Sequence, residues 1–240
     1  MLKERFNLHS TPLFYILSPL PNMRLLILTI FLSFLICAVK AQTNYVRLST
    51  SKGSILIMLY DQTPNHRDNF ISLVKKGLFK DQEFNRVIKN FVSQGGELDD
   101  TILDREKLKP QQPVKRLAAE IRPELFHKKG ALGAGRNDNP EKSSYLDQIY
   151  LVEGKIQTDA ELDELELKKG IKFSAEQREV YKKIGGIPRL DNDYTVFGEI
   201  VKGLDVAEAI NHVDTDQHDR PLKKEGFKIS ILTKEEVKKL

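Results

Sequence analysis

The residues best suited to chemistry lie at 84–96, FNRVIKNFVSQGG. There Arg86, Lys89 and the uncharged amide Gln94 interrupt a recurring apolar set, Phe84, Val87, Ile88, Phe91 and Val92, before a glycine pair. The pattern predicts a half-buried pair of strands. Arginine seldom sits in such a run unless something nearby needs five fixed donors and a charge that cannot be removed. A guanidinium held there suits an atom that gains negative charge or a free lone pair during a reaction, with no nucleophile or metal required. On local pattern alone the commoner arrangement is an edge strand with Arg86 in water, so the stretch has to be judged by its surroundings.

Rival chemistries find less support. His212, Asp214, Asp216, His218 and Asp219 crowd the segment HVDTDQHD, but their spacing fits no compact ligand motif, and a polar loop before the Arg220-Pro221 turn accounts for them. Neither a GxSxG elbow, an HExxH pair nor a phosphate-cradling glycine loop occurs. Glu97, after the glycine pair, reads as a turn residue. No cofactor or metal is implied.

The 240 residues carry 38 basic and 34 acidic side chains, scattered along the chain instead of gathered in a basic stripe, which argues against nucleic acid as a partner. Length and apolar content suit one globular domain with additions. From Met23 the chain reads MRLLILTIFLSFLICAVKAQ: Arg24, an apolar run over 25–39, then Val39 and Ala41 at the positions that precede cleavage before Gln42. The order and size are those of a secretory signal, and the run is short of the ~20 residues that span a bilayer. Ile36 before Cys37 disfavours a lipoprotein anchor. Residues before Met23 fit either an upstream start or a long leading region. We therefore expect an N-terminal extension and signal over 1–41, a domain over 42–240, and export to the periplasm. Removing Lys3, Arg5, Arg24, Lys40 and Glu4 leaves 34 basic and 33 acidic residues and no cysteine, so disulfide and thiol chemistry drop out.

The elements around 84–96 follow in order. Residues 45–60 predict a β-hairpin turning at Ser51-Lys52-Gly53, with Ile55, Ile57 and Leu59 on one face. Residues 61–76 predict a helix with Thr63 at its cap, Pro64 at its first position, a stripe of Phe70, Leu73 and Val74, and Gly77 at its end. Asn69 reads as an amide bracing a neighbouring loop. The charged stretch 98–116 predicts a long surface loop. Residues 129–136, KGALGAGR, predict a strand whose Gly133 and Gly135 let another chain approach or simply weaken an edge. A strand is expected at 148–152. Two charged helices capped by Thr158 and Ser174, with a weak stripe of Leu162, Leu165 and Leu167, predict a surface insertion over about 156–187, a possible docking site. A strand over 193–201 with a bulge at Gly198, a helix over 204–210, a strand over 227–232 and a charged tail complete the chain. The order argues for a mostly antiparallel barrel or sandwich.

Taken in order, KGSILIMLY, PNHRDNFISLVKKG, FNRVIKNFVSQGG, GALGAGR, QIYLV and YTVFGEIVKGLDV resemble the cyclophilin-type peptidyl-prolyl cis-trans isomerases over about residues 44–232, less the insertion. RVIKNFVSQGG together with TVFGEIVKGLDV is the most specific pair. The resemblance implies a mostly β fold, a closed eight-stranded antiparallel β-barrel capped by two helices, with the site in a groove on its outside. It implies Arg86 as the catalytic arginine, Phe91 and Val92 as the floor of the proline pocket, and Gln94 as the amide that holds the substrate backbone. Ala134, Gly135 and Arg136 would form the strand that pairs with bound peptide, Gln148 and Tyr150 the opposite wall, and Leu190 and Tyr194 the far rim. The partners implied are proline-containing polypeptides, met by a monomer whose only link to the membrane is its signal.

This sequence departs from the family at several of these places. Asn85 replaces a His, Val92 a Met, Arg136 a substrate-gripping Asn, Tyr150 a pocket Phe and Tyr194 a rim His, while Arg189 stands where many members carry a Trp associated with cyclosporin binding. Two functions follow: an exported folding enzyme, or a non-catalytic module of the same fold that recruits a partner. For the enzyme, the physics is simple. Rotation about an X-Pro bond meets a barrier of roughly 18–20 kcal/mol, and a surface that fits the twisted amide better than either planar form lowers it.

Overall fold

The computed structural model describes residues 44–112 and 114–240; the extension and signal expected over 1–41 lie outside the described residues. Its strands are β1 (Asn44–Thr50), β2 (Gly53–Leu59), β3 (Gln82–Ile88), β4 (Val92–Gly95), β5 (Ala131–Ala134), β6 (Ile149–Val152), β7 (Val196–Lys202) and β8 (Gly226–Ile231). All pair antiparallel and close into a barrel in the order β1-β2-β7-β5-β6-β4-β3-β8. Closure pairs every strand on both sides, leaving no open edge.

Alternation drives the burial. Val46 and Leu48 of β1 and Ile55, Ile57 and Leu59 of β2 point inward and are almost fully buried, with their polar neighbours outside. Helix α1 (Pro64–Lys75) starts on its proline and buries His66, Phe70 and Val74; Gly77, at φ +81°, ends it. Thr63 occupies the cap position, yet its hydroxyl bonds the Tyr60 carbonyl instead of capping. Phe70 meets Phe79 and Phe197 at ring distances of 5.1 and 5.5 Å.

The stretch 98–116 is not all loop. Asp99–Leu108 forms helix α2, with Asp99 and Asp100 in its first turn and Arg105 and Lys107 in its last, charges that complement the helix dipole. Only Ile102 of this helix is buried, which is why its sequence shows no apolar period. Gly198 lies between two irregularities of β7, where Phe197 and Val201 are the extra residues. It approaches β2 so closely that a Cβ would meet the Met58 carbonyl oxygen at 2.7 Å.

The insertion folds as α3 (Asp159–Lys169) and α4 (Ala175–Lys183). Each begins with a reciprocal capping box, Thr158 with Glu161 and Ser174 with Gln177. Leu162, Phe173 and Tyr181 form its own small core, with Phe126, Leu165 and Ile171 packed on it; Leu167 of the expected stripe is exposed. Helix α5 (Leu204–Asn211) buries Ala207 and Ile210 against the barrel. The tail ends in a short helix, α6 (Lys234–Val237).

Candidate functional site

One row of residues crosses four strands. Arg86 of β3 pairs with Gln94 of β4, Gln94 with Tyr150 of β6, and Tyr150 with Gly133 of β5. The next row, Val87, Ser93, Leu151 and Leu132, faces the barrel interior. The first row therefore faces outward. Arg86 reaches that face because Asn85 is an extra residue between the pairs Phe84–Gly95 and Arg86–Gln94. This bulge lets Phe84 and Val87 both point inward and turns Arg86 out between them.

Outside the barrel the row borders a pocket of about 140 Å³ lined by Arg86, Phe91, Val92, Gln94, Asp99, Gly135, Arg136, Gln148, Tyr150, Leu190 and Tyr194. Every site residue expected from the sequence is among them except Ala134. Alternation explains the exception: with Gly133 and Gly135 on the outer face, Ala134 pairs with Ile149 and packs in the barrel core. The backbone N–H and carbonyl of Gly135 bond the Gln148 carbonyl and the Tyr145 N–H, so those groups already have partners within the protein.

The glycines of this strand make room for the protein's own side chains, not for another chain. A Cβ on Gly133 would meet Tyr150 Cζ at 2.1 Å, and one on Gly135 would meet Gln148 Oε1 at 1.8 Å. Strand β5 is also no edge, since it pairs with both β6 and β7.

Val92, Tyr150 and Leu190 are nearly fully buried and form an apolar floor with half-buried Phe91. Phe91 is placed by a tight turn, its N–H on the Ile88 carbonyl, with Asn90 at φ +59°. Arg189 lies 4.3 Å over its ring. The Arg136 guanidinium lies 4.6 Å over the Tyr194 ring and donates to the carbonyls of Asp193 (2.7 Å) and Asn137 (2.8 Å). It thus shapes the rim with most of its donors engaged. Gln148 is buried and donates to the Glu97 carbonyl at 2.8 Å and to Asp99 Oδ1 at 2.5 Å. Asn69 holds the neighbouring loop through the Leu146 carbonyl.

Arg86 itself keeps its reach. Its closest charged partner is Asp219, 3.4 Å away, and both side chains are 41% exposed. An exposed pair at that distance is weak, so the guanidinium can turn toward a bound group. Asp219 is brought there by its own carbonyl, which accepts from the Val87 N–H at 2.7 Å. In the segment 212–219, expected to be a polar loop, Asp216 accepts the N–H groups of His218 and Arg220 and shapes a turn.

Asp99 and Asp219 were not anticipated as parts of the site. Asp99 comes to the pocket on α2, a helix without apolar period, and Asp219 lies 133 positions from Arg86 with no local signal. Beneath the pocket a third feature is equally unsignalled. The Tyr150 hydroxyl meets His127 Nε2 at 2.8 Å, and burial together with the nearby Tyr194 and Asp191 pushes that phenol well above its ordinary range.

The arrangement offers an apolar floor sized for a small ring, a part-exposed cation at its side and amides at its edge. It presents no activated nucleophile; what it can do is hold an apolar ring and donate hydrogen bonds to the atoms beside it.

The chain matches the family model described as "Cyclophilin type peptidyl-prolyl cis-trans isomerase/CLD" over residues 45–232. It is 28% identical over 178 residues to a peptidyl-prolyl cis-trans isomerase of Schizosaccharomyces pombe, covering 74% of this chain and 91% of the relative. It is 26% identical over 185 residues to one of Acinetobacter baylyi, covering 77% and 80%. A crystal structure of a cyclophilin type peptidyl-prolyl cis-trans isomerase of Cryptosporidium parvum superposes with a TM-score of 0.56 at 19% identity, over 80% of this chain and 98% of that one, a likeness of fold.

Proposed function

The chain belongs to the cyclophilin-type peptidyl-prolyl cis-trans isomerases and is a peptidyl-prolyl isomerase, and we propose that it acts on X-Pro bonds of exported polypeptides with Arg86 as its catalytic residue. The observation that carries this is the single pocket joining Arg86 to Phe91, Val92, Gln94, Tyr150 and Leu190. The prolyl ring rests on Phe91, Val92, Tyr150 and Leu190, while Gln94 and Gly135 border the flanking peptide. In the twisted amide the prolyl nitrogen regains a lone pair and the carbonyl turns out of conjugation. Arg86 donates to these groups, favouring the transition state over both planar forms. A crystal structure of the Cryptosporidium parvum isomerase determined in the presence of the dipeptide Ala-Pro supports this class of ligand.

Isomerisation of a short X-Pro peptide, followed by NMR exchange, tests the assignment. Arg86→Ala is expected to lower kcat/KM by about 10²-fold or more, the usual loss when one preorganised donor is removed. Wild-type activity no higher than the mutant's refutes the role of Arg86.

The export reading rests on the apolar run 25–39 with Val39 and Ala41 before Gln42. In this reading the protein is a periplasmic monomer that assists the folding of proline-containing clients. N-terminal sequencing of the envelope protein is expected to begin near Gln42; residues 1–30 found intact overturn it.

A further inference from the structure

We infer that the helical insertion is a positioning device for the proline pocket: a buried chain of hydrogen bonds, Tyr181 to Asp191 to His127 to Tyr150, fixes the Tyr150 wall from α4, making Tyr181 and His127 positioning residues. The inference rests on the isomerase reading of that pocket and extends it to residues outside it.

The chain is continuous and buried. Tyr181 donates its hydroxyl to Asp191 Oδ2 at 2.6 Å. Asp191 Oδ1 accepts the His127 backbone N–H at 2.9 Å and lies 2.8 Å from His127 Nδ1. His127 Nε2 lies 2.8 Å from the Tyr150 hydroxyl. All four residues are at most 6% exposed. One hydrogen-bond assignment gives every group a partner: His127 Nδ1–H donates to the carboxylate, and Nε2 accepts from the Tyr150 hydroxyl. Phenylalanine at 150 would leave that nitrogen buried without a donor, which costs more than the bond itself contributes. This accounts for a tyrosine in the pocket wall, and Gly133 supplies the space its ring needs.

The insertion takes a second hold on the same wall. Lys169, at the end of α3, donates to the carbonyls of Arg189 (2.9 Å) and Asp191 (2.7 Å) and to Asp193 Oδ2 (2.6 Å). These contacts hold the 3-10 turn Pro188–Leu190 at Arg189 and just beyond its end, and that turn carries Leu190 into the pocket. At its other end Tyr181 is set by Phe126 and Phe173, at ring distances of 5.4 and 5.8 Å. Helices that look like a surface addition thus reach Tyr150 through buried polar groups and, through half-buried Lys169, the backbone on either side of Leu190.

Tyr181→Phe tests this by removing one hydroxyl while keeping the ring. KM for an X-Pro peptide is expected to rise about 3- to 10-fold with kcat within about twofold, and Tyr150→Phe to do the same. The double variant is expected to resemble either single one, since groups of one network couple instead of adding. In ¹⁵N NMR the His127 ring nitrogens are expected to shift in Tyr181→Phe. Unchanged KM and unchanged His127 signals, or single effects that simply add, overturn the inference. Should Tyr181→Phe fail to fold, Tyr150→Phe breaks the chain at its other end and carries the same test. A wild type that does not isomerise the peptide removes the isomerase reading alone; the His127 signals and the affinity for an Ala-Pro dipeptide then decide the positioning role.

Discussion

Replacing Gly133 by Ala probes the tie between fold and site most directly. The new methyl would lie 2.1 Å from Tyr150 Cζ, 2.3 Å from Cε2 and 2.4 Å from the hydroxyl oxygen, all far inside contact distance. Gly133 does not have positive φ, so the backbone accepts alanine and the cost is one of packing. Tyr150 is only 4% exposed and packs in one apolar cluster with Val92 and Leu190, with Tyr194 against it. The ring must therefore move, and the open space it lines is the pocket of about 140 Å³. Overpacking costs about 1–3 kcal/mol, and leaving His127 Nε2 buried without its donor adds about 1–3 kcal/mol. A net loss of about 2–6 kcal/mol follows, a large share of the ~5–15 kcal/mol that holds a domain folded. Urea unfolding measures the loss, and the X-Pro peptide assay measures the blocked pocket, where activity is expected to fall at least tenfold. Adding Tyr150→Leu to Gly133→Ala should restore part of the stability by emptying the contested space. A Gly133→Ala protein within 0.5 kcal/mol of wild type and fully active would refute the argument.

Two further outcomes follow from charges near the barrel. His66 is buried with Nδ1 2.7 Å from Glu120 and Nε2 3.1 Å from Ser144; burial holds the imidazole below its ordinary range although Glu120 pulls it upward. The unfolded chain then takes up a proton first, so this stability is present above pH ~6.5 and lost as pH falls below it. Burial alone would raise Glu120, but hydrogen bonds from the His66 ring and from the N–H groups of His66 and Asn65 outweigh it and hold the carboxyl low; its contribution fades at still lower pH. The urea midpoint at constant ionic strength is expected to be lower at pH 5.5 than at pH 7.5, and equal midpoints would contradict a neutral buried His66. Asp219→Asn, at φ +62° where Asn is tolerated, removes the charge facing Arg86. Because that pair is exposed, stability is expected to change by less than ~1 kcal/mol and kcat/KM by less than about threefold; a tenfold fall would show that Asp219 holds Arg86 in its working position.

Much of the fold is legible because its causes are local. Alternation at Ile55, Ile57 and Leu59, the proline at 64, and the paired caps Thr158–Glu161 and Ser174–Gln177 each act within a few residues, and each produces the element expected. Helix α2 escaped notice because end charges and a single buried Ile102 support it, not an apolar face. Ala134 lies outside the pocket lining for a different reason. Which face of β5 meets the pocket is set by its register against β6, and a strand read alone does not reveal it.

By itself, the sequence determined the eight strands, the two barrel helices and the insertion, because propensity, capping and alternation depend on near neighbours; the stretch 84–96 stood out by its residue types alone. Tertiary structure decided what surrounds Arg86. The bulge at Asn85 turns it outward, Asp219 arrives from the far end of the chain, and Gly133 makes room for Tyr150. His127 and Asp191, 64 positions apart, join that tyrosine to the insertion. These relations arise only when closure of the barrel brings distant segments together and buried polar groups must find partners, and no local pattern encodes which partners they will be.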